Sequence, residues 1–316
     1  MWWAVRRILV SLVLIWIASS IVFLAIRFVP GDPAELLLSQ GGIAPDPASV
    51  AALRDQLGLD DPIGAQYVDS FRRLLHGDLG ESVQDGSKVS VEIMRRLPRT
   101  LELIGAASLL AVGFGLPAGM AAALRRGSWL DRALSSISGL GLAVPVFVAG
   151  TLLVLLFAQT LKWVPAGGYV PFAQDPARHL LLLLMPAGTI ALGLGATVFR
   201  MTRAAVLDVS LRDYVRTARA KGVGRARILV HHVLRNALMP VITVLALHMG
   251  ALLGGTVLVE YVFNYPGLSG MLVDSVNARD YPAVVGIVLV ISILFVTLNL
   301  VIDLLYGALD PRVRRA

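Results

Sequence analysis

Gly267-Leu268-Ser269-Gly270 spells G-x-S-G, in which a glycine-flanked serine could serve as the nucleophile of an intramembrane serine protease. That chemistry needs a base within hydrogen-bond reach of the hydroxyl. The histidines are His76, His179, His231, His232 and His248, and none follows Ser269 in the chain. Ser269 also falls in a polar turn, behind Asn264-Tyr265-Pro266-Gly267, so a turn serine is the simpler reading. His231 and His232 are adjacent, would point to different faces of a helix, and have no carboxylate or cysteine beside them; that argues against a metal site. His248 stands alone on an apolar segment and reads as a packed or hydrogen-bonded helix contact. The chain has no cysteine, which excludes a thiol nucleophile, a thiolate metal site and a disulfide framework. It also lacks G-x-x-x-x-G-K-[ST], the loop that cradles nucleotide phosphates. No catalytic, cofactor-binding or metal-ligating residue is expected.

The elements around these residues are those of a membrane protein. Of 316 residues, 56% are hydrophobic and 16% charged, whereas a soluble domain carries about 25% charged residues. Mean hydropathy is +0.74. Six segments meet the requirement of about 20 apolar residues for a spanning helix: Ile8–Ile26, Leu103–Leu124, Ala133–Leu161, Leu180–Phe199, Ala237–Val259 and Tyr281–Ile302. The first ends at Arg27-Phe28-Val29-Pro30 rather than at a small-x-small cleavage site, so it is expected to stay as a span. Arginine and lysine set the orientation. The N-terminus, the 125–134 loop, the 200–236 loop and the C-terminal tail hold 17 basic residues, against Lys162, Arg178 and Arg279 in the short loops opposite. Both termini and the 200–236 stretch are therefore expected in the cytoplasm. Trp2, Trp3, Trp129 and Trp163 lie near span ends, as interfacial anchors do.

The sizeable outer piece is 30–98, opened by the turn cluster Pro30-Gly31-Asp32-Pro33. Within it Val50–Leu57 and Gln66–Leu75 have the spacing of short amphipathic helices. It suits a cap on the bilayer and a docking or gating surface for a soluble partner alike. The span interiors hold almost no ionisable groups apart from His248; Glu102, Glu260 and Asp303 sit near span ends. That argues against a proton- or ion-coupled carrier, because buried charges in spans mark such paths. Glycines and prolines within the spans, among them Gly113, Gly115, Pro117, Pro145 and Gly254, predict close helix packing and bends. No internal repeat is visible, and 1–316 reads as a single all-α transmembrane domain.

One cytoplasmic stretch stands out. Ser210-Leu211-Arg212-Asp213 has the form of a capping box opening a helix. Leu211, Val215, Ala218 and Gly222 then share one face of increasingly small residues, while Arg212, Arg216 and Arg219 form a separate basic stripe. Gly222 suits the positive-φ position that ends a helix. Gly224 lets the chain reverse, and Arg225–Asn236 can form a second helix running into the next span. A small-residue ridge closed by a glycine turn fits a partner's groove; an ordinary topology-keeping loop is the alternative. A basic helix pair held between two spans is poorly placed for nucleic acid, and none is expected.

This stretch resembles the EAA loop of ABC-importer permeases: Glu-Ala-Ala, three residues, Gly, nine residues, Ile-x-Leu-Pro. With Gly222 on the motif glycine, Ala218 falls on the second alanine and Leu234 on the motif leucine. Arg216 and Thr217 replace the Glu-Ala pair, His232 replaces Ile and Arg235 replaces Pro. These departures are those of the peptide-permease branch, whose strings stand here as Tyr214–Gly222 and Leu234–Pro240. Further matching strings are Phe28–Pro33, Leu57–Asp60, Gly77–Gly80, Arg96–Leu103, Glu260–Leu268, Asp303–Tyr306 and Leu309–Arg314. Together they resemble the dipeptide/oligopeptide/nickel permease family, and within it the first of two permease subunits. The resemblance implies a six-span type I importer permease in a bacterial cytoplasmic membrane. It implies a second homologous permease, two ATP-binding subunits holding ATP-Mg, and an extracytoplasmic substrate-binding protein as partners. It implies an ATPase-coupling loop over 203–236, with Tyr214, Thr217, Ala218, Lys221, Gly222, Arg225, Arg235 and Asn236 as contact residues. Peptides are the implied cargo, with nickel or glutathione as variants.

Overall fold

A computed structural model describes residues 2–27, 33–38, 46–56 and 60–309. The strings at 28–32 and 57–59 and the tail from Asp310 lie outside the described residues. Among the described residues the chain is helical, with an isolated antiparallel bridge between Glu81 and Lys88. Among the described residues five helices are long and apolar enough to cross a membrane: Val5–Leu24, Val89–Leu124, Pro176–Ser210, Arg225–Gly255 and Tyr281–Val301. The expected third span is a bent pair, Trp129–Ala143 and Val146–Thr160, meeting at 104°. Pro145 explains the break. Val144 adopts extended backbone at ψ 124°, because the ring of the following proline disfavours the α region there.

The chain divides into two compact units, 1–96 with 271–316 and 97–270. In the first, Trp2–Arg27 packs along Tyr281–Leu309. The helix Ile63–Leu75, three residues longer at its start than expected, is fastened by Tyr67: its hydroxyl lies 2.8 Å from Ser20 Oγ and its ring meets Phe23 edge-on. Asp280 accepts the Ser82 hydroxyl and the Ala283 N–H, which starts the last helix and ties the 77–88 segment to it.

In the second unit, Leu103, Ala107, Leu183, Met185, Ile190, Val259, Phe263 and Tyr265 form a core. Small residues bring its backbones together, as helix packing in lipid requires. A Cβ at Gly115 would stand 2.6 Å from the Gly195 carbonyl oxygen, and one at Gly119 would stand 2.7 Å from that of Phe199. Helices Val89–Leu124 and Pro176–Ser210 are thus in near-contact over that stretch. Gly113 and Gly254, expected to serve likewise, face open space.

Candidate functional site

The 203–236 stretch is not a free-standing insert. The expected fourth span runs on to Ser210, so Ser210 closes that helix and does not cap the next. Leu211 and Arg212 turn back on the Asp208 and Val209 carbonyls, and the short helix Asp213–Ala220 starts from Arg212 with no side-chain cap. Its end is as expected. Gly222 has φ +74°, its N–H bonds the Arg219 carbonyl and the Val223 N–H bonds the Ala218 carbonyl. These are the paired bonds of a Schellman stop. Gly224, extended, begins the return helix, which is continuous from Arg225 to Gly255. Residues Ile228–Leu234 within it are wound as a wider π turn, ahead of Pro240.

The small face of Asp213–Ala220 turns inward. Val215 is fully buried and Ala218 only 8% exposed, packed with Ala123, Val206, Val209, Ile228, Val233 and Ala237. This corrects the expectation that Ala218 presents itself to a partner's groove. The reason is hydrophobic: the end of one span and the start of another supply apolar walls, and the small face covers them. Leu211, read as part of that face, is exposed instead.

The outward surface holds the other candidates: Tyr214, Thr217, Lys221, Gly222, Arg225, Arg235 and Asn236 are exposed. Two of them are joined. Asn236 Nδ2 donates to the Tyr214 hydroxyl at 3.2 Å and to the His232 carbonyl at 2.8 Å, pinning the short helix to the root of the return helix. Arg212 is bound to Asp208 at 2.7 Å, which holds its guanidinium above its ordinary pKa.

One positioning pair joins residues that nothing in the sequence links. Arg203 grips buried Asp131 with both forks, at 2.7 and 2.9 Å, and Asp131 also accepts the Gly127 N–H. Bidentate geometry fixes orientation as well as distance. The turn at 125–128 is thereby locked to the helix that enters the candidate site. The signal was an acid in the first turn of an apolar helix, but nothing local named its partner.

Glu260 is the other missed centre. It is 1% exposed and accepts three donors: Thr100 Oγ1 at 2.8 Å, Thr256 Oγ1 at 3.1 Å and the Gly270 N–H at 2.7 Å. Thr100 in turn accepts the Leu268 N–H at 2.8 Å. Burial raises the Glu260 carboxyl pKa, against the lowering effect of these bonds. The strings 96–103 and 260–268 are therefore one polar knot. Ser269 belongs to it. Its hydroxyl is buried, 3.0 Å from Thr256 Oγ1 and 3.4 Å from the Leu253 carbonyl, and no imidazole is among those partners. It is a structural hydroxyl.

The histidines divide similarly. His179 is buried between the Val170 carbonyl and Glu102, each 2.7 Å away, and since a carbonyl only accepts, Nδ1 carries a proton. His231 and His248 are exposed, and no group of three metal-ligating side chains occurs among the described residues. A cavity of about 570 Å³ in the second unit is lined by apolar groups such as Leu110, Phe114, Phe157 and Phe199, with no charged side chain.

Comparison with known proteins gives a consistent result. Residues 115–315 match the family described as binding-protein-dependent transport system inner membrane component, and 1–104 match the N-terminal family of such membrane components. The chain is 40% identical to the di/tripeptide transport system permease protein DppB of Pseudomonas aeruginosa, over 94% of both chains. It is also 40% identical to the glutathione transport system permease protein GsiC of Escherichia coli, over 99% of this chain and 98% of that one. Among solved structures, an inward-facing form of the MetNI methionine ABC transporter matches 69% of this chain and 96% of its own, with a TM-score of 0.56 at 17% identity, a likeness of fold.

Proposed function

We propose a coupling role in peptide import for this chain, which belongs to the binding-protein-dependent transport system inner membrane component family. It is a multi-pass membrane protein and a permease subunit of an ABC importer, a transport component rather than an enzyme. In this reading 1–316 is one permease domain that pairs with a second homologous permease. Two ATP-binding subunits carry the ATP-Mg, and an extracytoplasmic binding protein delivers the cargo to the outer face, which includes 30–98. The membrane is the bacterial cytoplasmic membrane, with both termini inside. Peptides are the cargo class; relatives named for di/tripeptides and for glutathione, itself a tripeptide, support this over nickel.

The observation that carries the reading is the form of 203–236. Its apolar side is used up inside the chain, its outer side is ordered but unneeded for the core, and both ends are continuous with spanning helices. A push on Asp213–Ala220 has rigid paths into the bilayer: along Pro176–Ser210, along Arg225–Gly255, and through Arg203 to Asp131. Closure of the ATPase pair on bound ATP would supply that push and move the spans between outward and inward access. The chain has no phosphate-binding loop. Purified alone, it is expected to show no ATP hydrolysis above background, with turnover appearing only when an ATP-binding subunit co-purifies. Robust turnover by the isolated chain would contradict the subunit reading.

A further inference from the structure

Six cations point outward from the candidate site: Arg216, Arg219, Lys221, Arg225, Arg227 and Arg235. The carboxylates of 203–236 are Asp208 and Asp213. Asp208 is taken by Arg212 at 2.7 Å, and Asp213 is 3.7 Å from Arg216, a loose and exposed pair. The surface therefore keeps a strong positive excess. The core beneath it is apolar and closed by Val215 and Ala218, and none of these cations is buried in it. The Schellman stop at Gly222 and the Tyr214–Asn236 bond hold the two helices that carry them in one arrangement. Mutually repelling charges held on an ordered surface favour a partner of opposite sign, because complementary potentials steer encounter and fix register.

We infer that the surface receiving this loop on the ATP-binding subunit is acidic, and that docking is driven largely by these exposed cations. The inference rests on the coupling reading, since it names the chemistry of the partner at that same site. Charges of this kind lie within reach of bulk ions, where the Debye length is about 10 Å at 0.1 M salt. Docking should therefore weaken steeply with ionic strength. The Arg203–Asp131 pair, with its carboxylate buried, takes no part in this dependence.

The test uses full-length permease in nanodiscs, titrated with its purified ATP-binding subunit at about 50 to about 500 mM KCl, a range over which screening of exposed charges goes from weak to strong. Wild type is expected to lose about tenfold or more in affinity across that range. Arg216→Glu with Arg219→Glu and Arg225→Glu is expected to lose about tenfold at low salt and to show a flatter salt response. The same three positions changed to Gln should fall between, and changed to Lys should recover most of the binding. Reversal could disturb membrane insertion, so the Gln set, which adds no acid, carries the comparison if the Glu set is not inserted. Salt-independent binding by wild type, matched by the Gln set, would overturn the inference and leave the coupling reading standing. Salt dependence that vanishes in discs of phosphatidylcholine alone would overturn it too, assigning the cations to anionic lipid headgroups. Failure of the ATP-binding subunit to bind wild type at any salt would remove the coupling reading itself.

Discussion

Gly222→Val is expected to abolish most ATP-driven uptake, by about tenfold or more, while the permease stays in the membrane at normal abundance. The cause is conformational, because a Cβ at Gly222 meets nothing within 4 Å. Its φ of +74° belongs to the left-handed region, which costs a residue with a Cβ about 1–2 kcal/mol, and more when that carbon is branched. The chain escapes the strain by giving up the bonds to the Arg219 and Ala218 carbonyls, and the short helix then loses its stop and its direction. Ala218→Trp reaches the same end differently. The indole has no room among Val206, Val209 and Val233, and overpacking of this kind costs about 1–3 kcal/mol. It should therefore make the 203–236 loop protease-sensitive as well as transport-deficient. Arg216→Ala, on the exposed stripe, should cost less than either. Uptake assays beside a membrane immunoblot check all three; normal uptake by Gly222→Val and Ala218→Trp would make 203–236 a topological loop and nothing more.

The second large effect concerns abundance. Glu260→Ala leaves two hydroxyl donors and the Gly270 N–H without their acceptor in a buried site, each worth about 1–3 kcal/mol. Folded permease should fall several-fold in the membrane, and what remains should denature at lower temperature. Gly267→Ala should do likewise, since its Cβ would overlap the Glu260 carboxylate. The two faults share one cause, so they should not add. The double variant should be no worse than Glu260→Ala alone, because the shortened side chain leaves room for the new methyl group. Normal abundance and heat resistance of both single variants would show that the knot is dispensable.

What could be read in the sequence was what is local. The apolar runs gave the spans, and Gly222 followed by a second glycine gave the helix stop, because a Schellman turn is decided by neighbouring residues. The same helix does not start at Ser210, because packing of Val206 and Val209 into the loop's core carries the previous helix past a good capping residue. The small face through Val215 and Ala218 was visible, but periodicity names a face and not what covers it. The bend at Val144–Pro145 had its proline in view and its 104° out of reach. Arg203 with Asp131, and Thr100 with Glu260, pair residues far apart in the chain, and a single sequence records neither. Glu260 could have been suspected, since a carboxylate at the end of an apolar run needs donors, yet the Gly270 N–H cannot be guessed from spacing.

The absence of native cysteine makes a direct measurement of the central claim simple. Thr217→Cys places a unique thiol on the exposed side of the Asp213–Ala220 helix, and Gln84→Cys places one on the exposed part of 30–98, which the proposed topology puts on the opposite face of the membrane. A short thiol-to-amine cross-linker is applied to each assembled complex in the membrane. The account predicts that the ATP-binding subunit is captured from Thr217→Cys and not from Gln84→Cys. Capture from Gln84→Cys, or none from Thr217→Cys while the complex co-purifies intact, would contradict it.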